Sequence, residues 1–112
     1  MVKYIPDRGD AVWLDLDPQK GHEQTGRRPA FVITPASYNT KVGLVLFCPI
    51  TSREKGYPFE VKVPDEFKIT GVILSDRIKS LDWQARNATF ICKLPQSVLR
   101  EVCNKLKVLL PE

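Results

Sequence analysis

Between Gly21 and Ala30 the sequence reads GHEQTGRRPA, and this stretch holds the only histidine of the chain, a glutamate, an amide and two adjacent arginines. Glu23 offers a carboxylate that can take or return a proton. Arg28 presents a planar fork of donors suited to phosphate oxygens, and His22 is the one side chain whose ordinary pKa lies near neutrality. A base, a cation and a proton donor are the parts needed to cleave RNA through its own 2′-hydroxyl. The base removes the hydroxyl proton, the cation offsets charge on the phosphorane, and the acid protonates the departing 5′-oxygen.

Taken one at a time, these residues also have ordinary readings. A glutamate near two arginines is commonly a solvent-facing ion pair worth ~0–1 kcal/mol. A lone loop histidine is commonly a surface residue, and RRP at the start of a strand can simply guard a sheet edge. Spacing alone leaves these alternatives open.

The elements that must hold the stretch are mostly strands. AVWLDLD alternates Val12, Leu14 and Leu16 against Trp13, Asp15 and Asp17, the period of a strand with one buried face. AFVIT and GLVLFCPI are short continuous apolar runs, as in central strands covered on both sides. FEVKV alternates again through Phe59, Val61 and Val63, and GVILSD and ATFIC complete the set. Residues 21–30 then fall on the connection between the first two strands. Because Arg28 precedes a proline it is pushed toward extended geometry, at the start of the second strand.

Toward the C-terminus the period changes. Val98, Leu99, Val102, Cys103, Leu106, Leu109 and Leu110 recur at helical intervals, and Pro95 suits the first helical turn. YNTKVG and SREKGYP read as the main solvent loops. The expected fold is mainly β: a small, SH3-like antiparallel barrel or strongly curled sheet with one C-terminal helix closing over it.

With 112 residues, 43% of them hydrophobic, the chain has the size and apolar content of one domain spanning 1–112. No apolar run approaches the ~20 residues needed to cross a bilayer, and the N-terminus lacks a signal-peptide pattern, so a cytoplasmic location is expected. Cys48, Cys92 and Cys103 lie far apart in apolar runs and read as buried free thiols. With one histidine a protein-only metal cage is not expected, and neither is a cofactor. A net charge of +4 favours an acidic partner.

RGDAVWLDLDPQKGHEQTGRRPAFVITP, followed in order by CPITS, GYPFEV, GVILSDRIKSLDW and the terminal helix, resembles the MazF/PemK/Kid family of toxin endoribonucleases from about Gly9 to Leu110. The resemblance implies a homodimeric, ribosome-independent mRNA interferase that cuts single-stranded RNA, leaving a 2′,3′-cyclic phosphate and a 5′-hydroxyl. It also implies inhibition by an antitoxin with an acidic, disordered tail. By resemblance Glu23 is the acid/base and Arg28 the phosphate-stabilising cation, with His22 in support. Gln24, Thr51, Ser52 and Asp76 would meet RNA. Asp76 matches a position treated as a proton-transfer residue in one branch and as a base-recognition residue in another. The branch that carries an arginine two residues before that acid departs from this chain, which has Leu74 there, so the catalytic cation here is assigned to Arg28.

Lys20, Arg53, Lys55, Arg77 and Lys79 are candidates for steering a phosphate backbone, although most such charges are solvated faces. Tyr57 and Phe59 are candidates for stacking bases, with Phe59 also suited to the core. Trp13 and Trp83 are assigned to packing or to a subunit interface. The alternative from another class is a non-enzymatic poison like CcdB, which shares the fold and blocks DNA gyrase. Such a protein has no use for an acid and a cation on the first long loop.

Overall fold

The computed structural model describes residues 4–16 and 26–111. Strand β1 (Asp10–Leu16) pairs antiparallel with β2 (Gly26–Val32), from Ala11 opposite Phe31 to Leu16 opposite Gly26. The strands thus end and begin at register partners, Leu16 and Gly26. A short helix, α1 (Ala36–Val42), leads into the longest strand, β3 (Leu44–Thr51). There follow β4 (Glu60–Lys62), β5 (Val72–Leu74), β6 (Lys79–Asp82), β7 (Thr89–Lys93) and helix α2 (Gln96–Lys107).

One flank of β3 pairs with β2, while the other changes partner along its length. Residues from Leu44 to Phe47 pair with β6, and Ile50 and Thr51 pair with β5. The path runs β4-β5-β3-β2-β1-β7, with β6 beside β3. The end strands β4 and β7 are not paired with each other, so the sheet curls without closing into a barrel.

Alternation along the strands feeds two apolar clusters. Val12, Leu14, Ala30, Val32, Val45 and Phe47 form one, together with Trp83. Ala11, Phe31, Cys48, Ile50, Val61 and Ile73 form the other, beneath Val98 and Val102 of α2. Both faces of β1 are covered only at its start, where Ala11 and Val12 feed different clusters; from Trp13 onward one face is the more buried, as the alternation suggests. Of the two tryptophans, Trp83 is core and Trp13 is half-buried.

Four expectations are corrected. YNTKVG is not a solvent loop: it is most of α1, so the fold has a second helix. That helix is built around a polar residue, which conceals it from any search for an apolar stripe. The Asn39 side chain is fully buried, donating to Pro6 O at 2.7 Å and Thr34 O at 3.0 Å and accepting from Thr34 Oγ1 at 2.6 Å. Its backbone oxygen accepts from Trp83 Nε1 at 2.8 Å.

Strand β6 is likewise absent from the sequence reading, because its mostly exposed residues carry no alternation of buried positions. At the other end, Pro95 is the N-cap of α2 and lies just outside its first turn, and the helix stops at Lys107. Leu109 and Leu110 therefore fall beyond it, 51% and 57% exposed. All three cysteines are free, but only Cys48 is buried, and burial pushes its thiol up to about 12. Cys92 and Cys103 are half-buried. Among the described residues no helix is long and apolar enough to cross a membrane.

Candidate nucleic-acid interface

Strand geometry divides the two arginines of GRRP. Successive strand residues point to opposite faces, and in the β1–β2 register Arg27 stands opposite Asp15 and Arg28 opposite Leu14. Arg27 is fully engaged: it donates to Asp15 Oδ1 at 2.5 Å, Asn87 O at 2.8 Å and Thr89 Oγ1 at 2.6 Å. Asn87, in a left-handed conformation with φ of 55°, closes the network by donating from Nδ2 to Asp15 Oδ2 at 2.7 Å. These bonds hold the Asp15 carboxyl below its ordinary range, the Asn87 amide first and Arg27 next.

Arg28 is exposed and has no hydrogen-bond or ion-pair partner among the described residues. It lines a concavity of about 250 Å³ with Leu14, Thr51, Leu74, Arg77 and Lys79. Thr51, Leu74 and Arg77 also line a second concavity of about 490 Å³, which continues to Arg53, Tyr57 and Asp76. The two share a wall and form one cleft across the β3–β5 junction. Arg28 and Lys79 stand at one end, and Arg53 and Lys55 at the other.

The middle of the cleft depends on a glycine. Gly71 has φ of 121°, and a Cβ there would sit 2.2 Å from the Thr51 carbonyl oxygen. Only a residue without a side chain lets the chain entering β5 lie this close to the end of β3, where Thr51 pairs with Val72. The Thr51 hydroxyl accepts from the Arg53 N–H at 3.2 Å, which turns the chain at the strand end.

At the far end the Tyr57 hydroxyl donates to Asp76 Oδ2 at 2.8 Å, and this bond to a carboxylate raises the phenol's pKa above its ordinary value. Asp76 Oδ1 is shut away from solvent and has no partner among the described residues. Glu60 lines the same concavity, but its carboxylate is taken by the N–H groups of Lys55 and Gly56. Four of the basic residues named from sequence, Arg53, Lys55, Arg77 and Lys79, therefore face the cleft, which gives it a positive lining.

Of the residues singled out by sequence, Arg28, Thr51 and Asp76 come together on this cleft. Ser52 is exposed next to Thr51 but does not line it. His22, Glu23 and Gln24 lie outside the described residues, as does Lys20. The link between Tyr57 and Asp76 escapes sequence reasoning, because the two are separated by 19 positions and belong to different loops.

A family model described as "PemK-like, MazF-like toxin of type II toxin-antitoxin system" matches residues 7–110. The chain is 44% identical over 108 residues to the endoribonuclease toxin MazF of Escherichia coli K12, covering 96% of both. It is 31% identical to the Escherichia coli endoribonuclease PemK, covering 93% of this chain and 81% of that one. Among solved structures, a chain in the crystal structure of MazE–MazF from Deinococcus radiodurans superposes with a TM-score of 0.91 at 52% identity, with 96% of each chain covered. The crystal structure of MazF from the same organism gives 0.87, also at 52% identity, with 96% of this chain and 97% of that one covered.

Proposed function

The chain belongs to the family of PemK-like, MazF-like toxins of type II toxin–antitoxin systems, and from that premise we propose that it is a ribosome-independent endoribonuclease acting on single-stranded mRNA at a short sequence. The single observation that carries this reading is an arginine, Arg28, unpaired among the described residues and facing a cleft lined by further cations. Such a lining suits a phosphate backbone, whose binding is driven by charge and weakened by salt. The names of the relatives favour nuclease chemistry over gyrase poisoning.

In the proposed reaction the 2′-hydroxyl attacks its own phosphodiester. Glu23 takes the hydroxyl proton and returns one to the 5′-oxygen, with His22 in support, and Arg28 offsets the charge on the phosphorane. Gln24 hydrogen-bonds the strand, Thr51 contacts the scissile phosphate region, and Ser52 and Asp76 extend the contact surface. The products are a 2′,3′-cyclic phosphate and a 5′-hydroxyl. No metal or cofactor enters this scheme. The active form is a cytoplasmic homodimer of a single-domain chain, with the groove running across its interface. An antitoxin with an acidic, disordered tail inhibits it, as charge complementarity with the cleft favours.

The test is to incubate purified protein with RNA and sequence the 5′ ends of the fragments. The expected result is cutting at one short motif, abolished when the nucleotide at the cut carries a 2′-O-methyl group. Intact RNA would remove the nuclease reading, and efficient cutting of the methylated substrate would require a water nucleophile.

A further inference from the structure

The end of the cleft far from Arg28 is built around an exposed aromatic ring that is held still. Tyr57 is 47% exposed. Its hydroxyl is fixed on Asp76 Oδ2 at 2.8 Å, and its ring leans on Phe59 with centroids 5.8 Å apart and planes at 47°. The loop beneath it is pinned as well, because the Glu60 carboxylate accepts from the N–H groups of both Lys55 and Gly56. An exposed ring tied at its tip and against one face does not pay the ordering cost of a free side chain when a ligand stacks on it.

Around this ring stand Arg53, Lys55 and Arg77, and the concavity they share is about 490 Å³, within the ~300–1,000 Å³ range typical of ligand sites. A flat apolar face among cations matches the two halves of a nucleotide unit, a base and its flanking phosphates. The hydroxyl is already committed to Asp76, so the ring offers its face to the ligand and not a hydrogen-bonding edge. Every base has a π-face, and a contact of this kind adds affinity without choosing among bases.

We propose that Tyr57 is a stacking seat for a nucleobase flanking the cut, with Arg53 and Lys55 taking the adjoining phosphates. This rests on the endoribonuclease reading and deepens it: the seat contributes grip on the strand, and the choice of cleavage motif is made elsewhere in the cleft.

The experiment uses the full chain and an RNA oligonucleotide spanning the mapped cut site, blocked by 2′-O-methyl at that nucleotide. Affinity is measured for the intact strand and for a series in which one base at a time is removed and the backbone kept. For wild type, removing one particular base near the cut should weaken binding by roughly 5- to 150-fold, the range for a base–aromatic stack. Tyr57→Ala should weaken the intact strand by a similar factor and make removal of that same base nearly costless. Tyr57→Phe, which keeps the ring and loses the bond to Asp76, should bind within about 3-fold of wild type, and the motif cut by Tyr57→Ala should be unchanged.

Three results overturn the proposal: Tyr57→Ala binding the intact strand like wild type, Tyr57→Phe binding as weakly as Tyr57→Ala, or an altered motif at unaltered affinity. Circular dichroism and melting of each variant separate a lost seat from a lost fold. A wild-type protein that neither binds nor cuts RNA overturns the nuclease reading itself. One that cuts normally while Tyr57→Ala binds normally overturns the seat alone.

Discussion

Arg27 and Arg28 are consecutive residues that serve opposite faces of one strand: Arg27 is tied to Asp15 at 2.5 Å, and Arg28 faces the cleft beside Thr51 and Arg77. The register that locks the first leaves the second available. Arg28→Ala should lower the cleavage rate by ~10²-fold or more, the scale of a lost charge-stabilising donor. Arg27→Ala should affect the rate clearly less and the melting temperature more. Single-turnover rates and thermal melts of the two variants check this, and equal rate losses would contradict the division of labour.

Asn39 is the polar hub of α1. Asn39→Ala removes three side-chain hydrogen bonds in a fully buried position and strands the carbonyl of Pro6, which should cost about 2–4 kcal/mol. Thermal denaturation should show a fall of roughly 10 °C or more. A shift within a degree or two would mean that the hub is dispensable.

Gly71→Ala meets both an unfavourable φ of 121° and the Thr51 carbonyl oxygen at 2.2 Å. Backbone must move, so the variant should lose about 2–4 kcal/mol of stability. Because the displaced backbone carries Thr51, RNA affinity should fall even at temperatures where the variant is folded. Wild-type stability together with wild-type affinity would contradict the close approach of β5 to β3.

Asp7 accepts a hydrogen bond from the Ala36 N–H at 2.9 Å, the first cause of its lowered pKa, and Lys93 adds a weaker attraction. A carboxyl whose native pKa lies below its unfolded value of 3.8 binds fewer protons folded than unfolded as the pH falls through that region. Its contribution is fully present above the unfolded value and is lost as pH drops through the native one. Asp7→Asn should therefore melt below wild type at neutral pH, and the gap should narrow as the pH falls below the unfolded value of 3.8. A gap that widens in acid would have the wrong sign.

Cleavage should persist in EDTA, because the proposed proton transfers and charge stabilisation use side chains alone. Rates with and without chelator should agree within about 2-fold on the scale of measured catalytic effects. Abolition by EDTA, restored by a divalent cation, would contradict the side-chain scheme.

The strands were legible wherever alternation or a continuous apolar run marked them, as in Val12 and Leu14 of β1 or the core of β3. What escaped was organised by polarity: α1, built around buried Asn39, and β6, whose residues mostly face solvent. That Arg28, Thr51 and Asp76 serve one surface is implied by the family resemblance, but their separation into Arg28 at one end and Asp76 with Tyr57 at the other is not. That arrangement depends on β3 changing partners midway, from β6 to β5, a pairing that no local pattern encodes.

The central claim is that Glu23 and Arg28 act together on one phosphodiester, and single-turnover cleavage of single-stranded RNA by Glu23→Ala, Arg28→Ala and the double variant tests it most directly. Residues that act as a unit are strongly non-additive. Each single variant should lose ~10²-fold or more, and the double should be little slower than the worse of the two. Wild-type rates in either single variant, or a double variant whose loss is the full product of the two, would contradict it.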